Sequence, residues 1–539
     1  MTHDMKLSVA RRWADLGVML CLALGAGLCS MVLPSPAGAA TIVVNSLEDT
    51  VVHGDGLCTL REAILNAERD NRSGSTDCAA GSGADTIMFS LSGTISLDSG
   101  LGTLGIDSAG GLTINGEKGI TMSGGGIRVD PAGVLTLQHL AVTNGEHRGI
   151  SNSGTLTIDH TIVSGNSTYR DIGAGILNDG TMTISHSTVS DNHAVKADPV
   201  PNGSGIHNRG TMTISHSTVS SNFVDAFNDP PWGGGIFNGG TLTLSNSTVS
   251  GNLCAHGDCR SGGIYNEGVL TLSTSTVSGN VSGPSIFTNG TLKMSSSLIA
   301  DGCVGPVTSL GYNLDPTGTC GLTSPGDHSN VDPRLDPTGL KDNGGPTKTI
   351  ALCTGSGTPT GCTGRSPAID AVPLTQCIGA GGQQLGLDQR AYFRPADGDR
   401  NGTTLCDIGA FEATSSPLTT INNLVTFTPL PATYQTSRDT TGCPAGYVGK
   451  FQFTADLTNK PGSPPVKHLV TEVTTLTRGN LVLNADGGLG GDGATVTFAS
   501  NGQYTDGVLN AKEHVSLPVT LCLKTFTPFT FFVDVLGTR

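Results

Sequence analysis

The sequence predicts an all-β chain: a parallel β-helix of repeated coils, followed by a C-terminal β-sandwich. Three observations carry this expectation. "GTMTISHSTVSDN" from Gly180 and "GTMTISHSTVSSN" from Gly210 differ at a single position. Within each such line apolar and hydroxyl residues alternate with period two, as a strand with one buried face requires. The composition, with 77 Gly in 539 residues, 4% aromatic and 14% charged residues, is too poor in charge for a charge-driven disordered chain. It suits a Thr- and Gly-rich solenoid instead.

The repeat is 18 residues long. Copies start at Gly149, Gly175, Gly205, Gly235 and Gly263, with a degraded copy at Ser285 and a divergent early one at Gly126. The steps from Gly149 are 26, 30, 30, 28 and 22 residues, so a fixed line is followed by a segment of changing length. That is how a coil with a loop on one side reads in sequence. Leu156 and Ile158 share one parity and Thr155 and Thr157 the other; Val163 falls on a second short strand, and Ile150 with Asn152 on a third. Asn152, Asn178, Asn208, Asn238 and Asn266 share parity with the buried Ile beside each. They are expected to form an interior ladder whose amides bond along the axis.

Residues 1–39 read as a signal peptide: Lys6, Arg11 and Arg12 precede the apolar "LGVMLCLALGAGL", and "AGA" at Ala37–Ala39 offers a cleavage site. No second apolar run is long enough to span a membrane. Removing Cys21 and Cys29 leaves twelve cysteines, an even number for an exported protein. They fall into local pairs, Cys58/Cys78, Cys254/Cys259, Cys303/Cys320, Cys353/Cys362 and Cys377/Cys406, leaving Cys443 with Cys522. None has the paired C-x-x-C spacing of a zinc site. A net charge of −15 argues against nucleic acid as the partner.

"LCTLREAILNAE", Leu57 to Glu68, resembles the CSLREA motif of bacterial exported β-helix proteins, with Thr59 in place of Ser. "GYNLDP" at Gly311, "NGGPTKTIAL" at Asn343, "SPAIDA" at Ser366, "LDQRAYFRP" at Leu387 and "CDIGAFE" at Cys406 resemble the choice-of-anchor Q region. The "GGGIFN" and "SGGIYN" lines are similar to repeats of polymorphic outer-membrane proteins. The resemblance implies a right-handed parallel β-helix of the pectin-lyase-like kind with surface or secreted placement, and no enzymatic activity. On this reading residues 40–100 form an N-terminal cap, 101–310 the β-helix repeats and 311–414 the anchor Q-like region. Leu60, Ile64 and Ala67 recur at helical spacing, so a helix is expected to close the open strand edge at that end. From about Ser415 to 539, "KFQFTADLT", "LVTEVTTLT", "ATVTFAS", "VSLPVTLCL" and "PFTFFVDVL" read as strands of the sandwich.

Several constellations could carry chemistry. His160, His186 and His216 occupy equivalent coil positions, but Asn246, Thr274 and Ser296 follow them, so they read as surface residues copied with the repeat. The outward rows Thr155/Thr157, Thr181/Thr183, Thr211/Thr213 and Thr241/Thr243 could order water on an ice-binding face, or follow from β-propensity alone. "DGDRNG" matches the start of a calcium loop, with Asp397, Asp399, Asn401, the Thr403 carbonyl and Asp407 as candidate ligands. Ile408 stands where a bidentate glutamate would complete it, and an Asp/Gly turn is the other reading. The variable loops hold Asp171, Asp198, Asp225, Asp229 and Asp258 with Arg170, Lys196 and Arg260, none at a demanding spacing. They also concentrate Tyr169, Phe223, Phe227 and Trp232, which could form a recognition face or pack between loops.

The functional expectation is an exported, non-enzymatic surface or extracellular protein that binds a glycan or a surface protein through this loop face. It needs no cofactor beyond a candidate calcium. The alternatives are a polysaccharide lyase or glycoside hydrolase on the same fold, and ice binding by the Thr face.

Overall fold

Stacking identical lines on one another converts the period-two alternation into parallel ladders. The computed structural model describes residues 6–7 and 39–539, apart from 170, 197–201, 227–231, 256–258, 380–383, 416, 445, 486–489, 492–493, 499–502 and 505–506. The chain is nearly all β and divides into two compact parts, Gly38–Ser416 and one that contains Pro417–Arg539.

The first part is a parallel β-solenoid of about eight turns. Its first ladder runs through Thr155–Asp159, Thr181–Ser185, Thr211–Ser215, Thr241–Ser245, Val269–Ser273 and Thr291–Ser295. The second runs from Ile162–Ser164 through Thr188–Ser190, Thr218–Ser220 and Thr248–Ser250 to Thr276–Ser278. The third stacks Ile150–Asn152 on Ile176–Asn178, Ile206–Asn208, Ile236–Asn238, Ile264–Asn266 and Ile286–Thr288. In-register Leu156, Met182, Met212 and Leu242, with the Ile and Val columns beside them, fill one continuous core.

The corners between ladders are held by polar side chains turned inward. Asn152 Nδ2 donates to Asn178 Oδ1 at 2.7 Å, and the pattern continues through Asn208, Asn238 and Asn266. The same amides serve corner carbonyls, as Asn208 does for Gly210 and Thr241. A second buried amide ladder joins Asn166, Asn192, Asn222, Asn252 and Asn280, each step at 2.9 Å. At the third corner the Oγ of Ser187, Ser217, Ser247 and Ser275 accepts a backbone N–H from the preceding coil. The glycine that opens each repeat follows from this packing: a Cβ at Gly205 would lie 2.7 Å from the Asn222 amide.

A fourth parallel ladder forms where irregular loops were expected. Ser167–Tyr169, His193–Lys196, Phe223–Ala226 and Leu253–Ala255 pair in register, and Ala194, Val224 and Cys254 pack with Ala174 in a small core of their own. The loops depart only after these strands.

The helix Leu60–Glu68 packs against Thr41–Val44 and Asp85–Phe89, with Leu60, Ile64 and Ala67 in the main core. Thr59 is its N-cap and Glu62 closes a capping box, which accounts for the hydroxyl and the glutamate of "TLRE". Arg61 makes a two-pronged pair with Asp49.

Residues 346–412 return along the outside of the solenoid and cover the later coils of the second ladder. Gln389 accepts from Thr248 Oγ1 and donates to the hydroxyls of Thr218 and Thr347. Asn246 donates to the Leu387 carbonyl, and the Ala410 N–H donates to Thr276. Behind these contacts Arg394 pairs with Glu412 and Arg390 with Asp388, all buried, and Arg390 lies 3.7 Å from the Phe411 ring centroid. The motifs "LDQRAYFRP" and "CDIGAFE" are thus the contact surface and the charged clamp of one returning segment.

In the second part, two antiparallel sheets contribute to one apolar core that includes Phe427, Phe451, Phe453, Val515, Phe529 and Phe531. The twelve cysteines of residues 58–522 form the six expected pairs, Cys58–Cys78, Cys254–Cys259, Cys303–Cys320, Cys353–Cys362, Cys377–Cys406 and Cys443–Cys522. Among the described residues no helix is long and apolar enough to cross a membrane.

Replacing Asn208 by Ala removes one donor and one acceptor from a fully buried column and strands the amides of Asn178 and Asn238. The expected cost is on the order of 1–3 kcal/mol, read as a lower midpoint in chemical denaturation. An unchanged midpoint would contradict an energetic role for the ladder.

Candidate functional site

The corner between the first and second ladders needs a left-handed backbone, with φ of 45° at His160, 46° at His186 and 49° at His216. Asn and His are among the residues that enter that region most readily, and the column continues in it through Asn246, Thr274 and Ser296. The imidazoles stack, with ring centroids 4.8 Å apart for His160–His186 and 5.0 Å for His186–His216. His139, from the divergent early coil, extends the stack at 4.9 Å.

The expectation that these are surface residues is corrected for two of them. His216 is buried under the returning segment, and the His186 side chain is only 10% exposed against 32% for His160. Burial, the neighbouring His186 and Arg394 push His216 well below the ordinary histidine range. Nothing periodic in residues 346–412 announces that they cover this column.

Asp159 lies beside the stack, with Oδ2 2.9 Å from His160 Nδ1 and Oδ1 3.2 Å from His186 Nδ1. Ser185 Oγ donates to the same Oδ1. Burial raises this carboxyl, but the hydrogen bonds from both imidazoles outweigh it and hold Asp159 below the usual carboxylate range. A cavity of about 120 Å³ adjoins the pair, lined by His160, Thr161, Ile162, His186, Thr188 and Pro346.

The candidate calcium loop is arranged differently from its expected ligand set. Asp397 accepts the N–H groups of Asn401 and Gly402, Asn401 Oδ1 accepts from Thr403 N, and Asp399 pairs with Arg365 at 2.8 Å. Asp407 is buried and faces inward, accepting from Asp370 N and Ala413 N. Its place is taken by Asp370, whose carboxylate lies with those of Asp397 and Asp399 within 4.8 Å. Asp370 stands 27 residues before Asp397, beyond the reach of a loop motif.

The aromatic candidates separate. Tyr169 is 66% exposed at the start of the fourth ladder, and half-buried Phe223 lies tilted against His193 with ring centroids 4.6 Å apart. Trp232 leans over Tyr265 at 5.2 Å and Phe237 at 6.4 Å, above a column that begins at His207 and ends at Phe287. Phe227 lies outside the described residues, as do Arg170, Asp198, Asp229 and Asp258. Of the other charged loop residues, Asp171 pairs with Arg148 at 2.6 Å and Arg260 lies over the Phe287 ring.

The Thr rows keep their register on the first ladder. Thr157, Thr183, Thr213 and Thr243 extend upstream through Thr136, Thr113, Thr86 and Thr41, and downstream to Thr271 before Lys293 ends the column. No family model, curated protein or solved structure matches this chain. The fold and the sites stand on their own geometry.

His207 illustrates how the buried columns respond to acid. Burial pushes its pKa down to about 4, with Arg209 and Arg148 adding to the fall and Asp179 opposing it. It is neutral when folded and takes up a proton on unfolding below its ordinary value near 6.5. Its share of stability is therefore full above that pH and is lost as pH falls toward 4. His207→Phe, which copies Phe237 of the next coil, is expected to lose less stability than the parent over that window, by up to about 3 kcal/mol. Denaturation midpoints at matched pH values check this; parallel curves would contradict it.

Calcium is expected to act through the Asp trio. It should raise the melting temperature, and both Asp399→Ala and Asp370→Asn should abolish the rise while Asn401→Ala leaves most of it. Melting that is the same in calcium and in chelator would remove the ion from the account.

Proposed function

We propose that this chain is an exported, non-enzymatic surface or extracellular protein of the CSLREA and choice-of-anchor Q kind. Its right-handed β-helix carries a recognition face for an extracellular glycan or surface protein. The helix at Leu60–Glu68 caps the first coil, and the two C-terminal sheets pack as a β-sandwich. Six cysteine pairs suit an oxidising compartment.

One observation carries the choice of face. On the fourth ladder the outward positions change at every coil, reading Ser167, His193, Phe223 and Leu253 in one column and Tyr169, Val195, Asp225 and Ala255 in the other. The first two ladders repeat nearly the same residues, a uniform surface with little shape information, and the varying outward column of the third ladder is buried at Leu177, His207, Phe237 and Tyr265. Rings exposed on a rigid ladder suit contact with sugars or with another protein. Trp232 belongs instead to the packing over the third ladder, because its ring rests on Tyr265 and Phe237.

A panel of polysaccharides, read for both bound and released sugar, tests the proposal. Tyr169→Ala combined with Phe223→Ala is expected to weaken binding roughly tenfold, equivalent to about 1.4 kcal/mol, with the melting temperature kept. Trp232→Ala should lower the melting temperature instead. Depolymerisation with turnover would replace this reading by that of a polysaccharide-active enzyme.

A further inference from the structure

We infer that Asp159, His160 and His186 form a binding site for a divalent transition-metal ion, with a fourth coordination position open to the adjoining cavity. The inference rests on the donor geometry and does not depend on the recognition face. Imidazole and carboxylate together suit zinc and its neighbours in the first transition row. Two donors bound at ~2.1 Å on a tetrahedral ion lie roughly 3.4 Å apart. Here the carboxylate oxygens stand 2.9 Å from His160 Nδ1 and 3.2 Å from His186 Nδ1, and one donor atom from each residue fits within 4.8 Å. Closing the set asks for a small tilt of two stacked rings and the release of the protons now shared with the carboxylate. Ser185, donating to Asp159, would orient the carboxylate in the way outer-shell partners do.

A second observation singles out this coil. The Asp159 column reads Ser185, Ser215, Ser245, Ser273 and Ser295 in the five coils that follow, and Gln138 in the one before. The repeat departs from serine to a carboxylate only where the imidazoles of its own coil and of the next one both flank it. Neither neighbour in the stack completes such a set: His139 lies one coil before the carboxylate, and His216 lies buried two coils beyond it. The cavity reaches both metal-facing rings and is bounded by Thr188 and Pro346, so a water or a small ligand can occupy the fourth position. Three protein ligands and one open position are the pattern of reactive rather than purely structural zinc sites.

The test is calorimetric titration of the chelator-treated, exhaustively dialysed full chain with zinc, together with the visible spectrum of its cobalt form. One saturable equivalent is expected, with cobalt bands of a four-coordinate nitrogen and oxygen site. Asp159→Asn and His186→Gln should each weaken binding by more than about 100-fold, beyond the 10–100-fold typical of losing an outer-shell partner. His139→Gln should bind as the parent does. Circular dichroism in chelator checks that each variant folds. Should one fail, the other variant and the cobalt spectrum of the unchanged protein still decide. Absence of a saturable equivalent, or equal affinity in parent, Asp159→Asn and His186→Gln, would overturn the assignment.

Discussion

Everything in the solenoid depends on what happens at its corners. On the flat faces each backbone N–H and C=O finds a partner in the coil above or below. At a corner the chain turns and those groups point away from the ladders, into a core where an unpaired polar group is costly. The two amide ladders and the serine ladder supply the missing partners; each amide also bonds its own copy in the next coil, and each serine hydroxyl accepts a backbone N–H from the coil before. A residue in such a column is satisfied only if its neighbours match it. That condition makes the chain rewrite the same line coil after coil, and it reaches the glycines, since Gly205 must leave room for Asn222.

The same condition explains what the returning segment has to do. Residues 346–412 have no repeat to pair with, so they bond to the outward hydroxyls and amides of the second ladder through Gln389, Leu387 and Ala410. The segment holds its shape by a buried charged clamp. Burial raises the carboxyls of Asp407 and Glu412, with Glu412 adding to the rise at Asp407 and Asp388 to that at Glu412, while Arg394 opposes both. A buried ion pair is weak evidence of stability, but breaking one by removing a partner is strongly destabilising. The clamp therefore fixes how the segment lies more than it adds to stability. The face it closes is the one holding the later coils of the histidine column.

Much of this was legible in the sequence where it was periodic. Parity placed Asn152 and its copies beside buried isoleucines, and local spacing paired Cys58 with Cys78. The second amide ladder was equally written, as the asparagine that ends each 18-residue line from Asn166 to Asn280, but it borders the variable segment, where parity with a following strand gives no guide. His139 escaped because its coil lacks the consensus around it. The fourth ladder was hidden because its outward residues change, and only small inward ones such as Ala194 and Val224 betray it. The returning segment and the Asp370 contribution could not be read at all. They depend on contacts across long stretches of chain, such as Thr218 with Gln389, that no local spacing encodes.

A solenoid under this constraint separates scaffold from function in a particular way. A residue that copies its neighbours in the coils above and below is accounted for by stacking, whatever its chemistry, and the Thr column from Thr41 to Thr271 falls in that class; the rings from His207 to Phe287 differ in kind but pack on one another in the same way. A residue that departs from its column gives up a matched neighbour, so its retention calls for another cause. Asp159 is such a departure: it stands at the head of a serine column, mostly buried, with both oxygens engaged by imidazoles of two coils. Burying that carboxylate costs more than burying serine unless a cation or two donors compensate it. The fourth ladder departs from copying along its whole outward surface, and there the strands are held by a satellite core instead of the main one. Its outward positions are thereby freed from the matching rule that governs the first two faces, and side-chain variety is tolerated where a partner could read it.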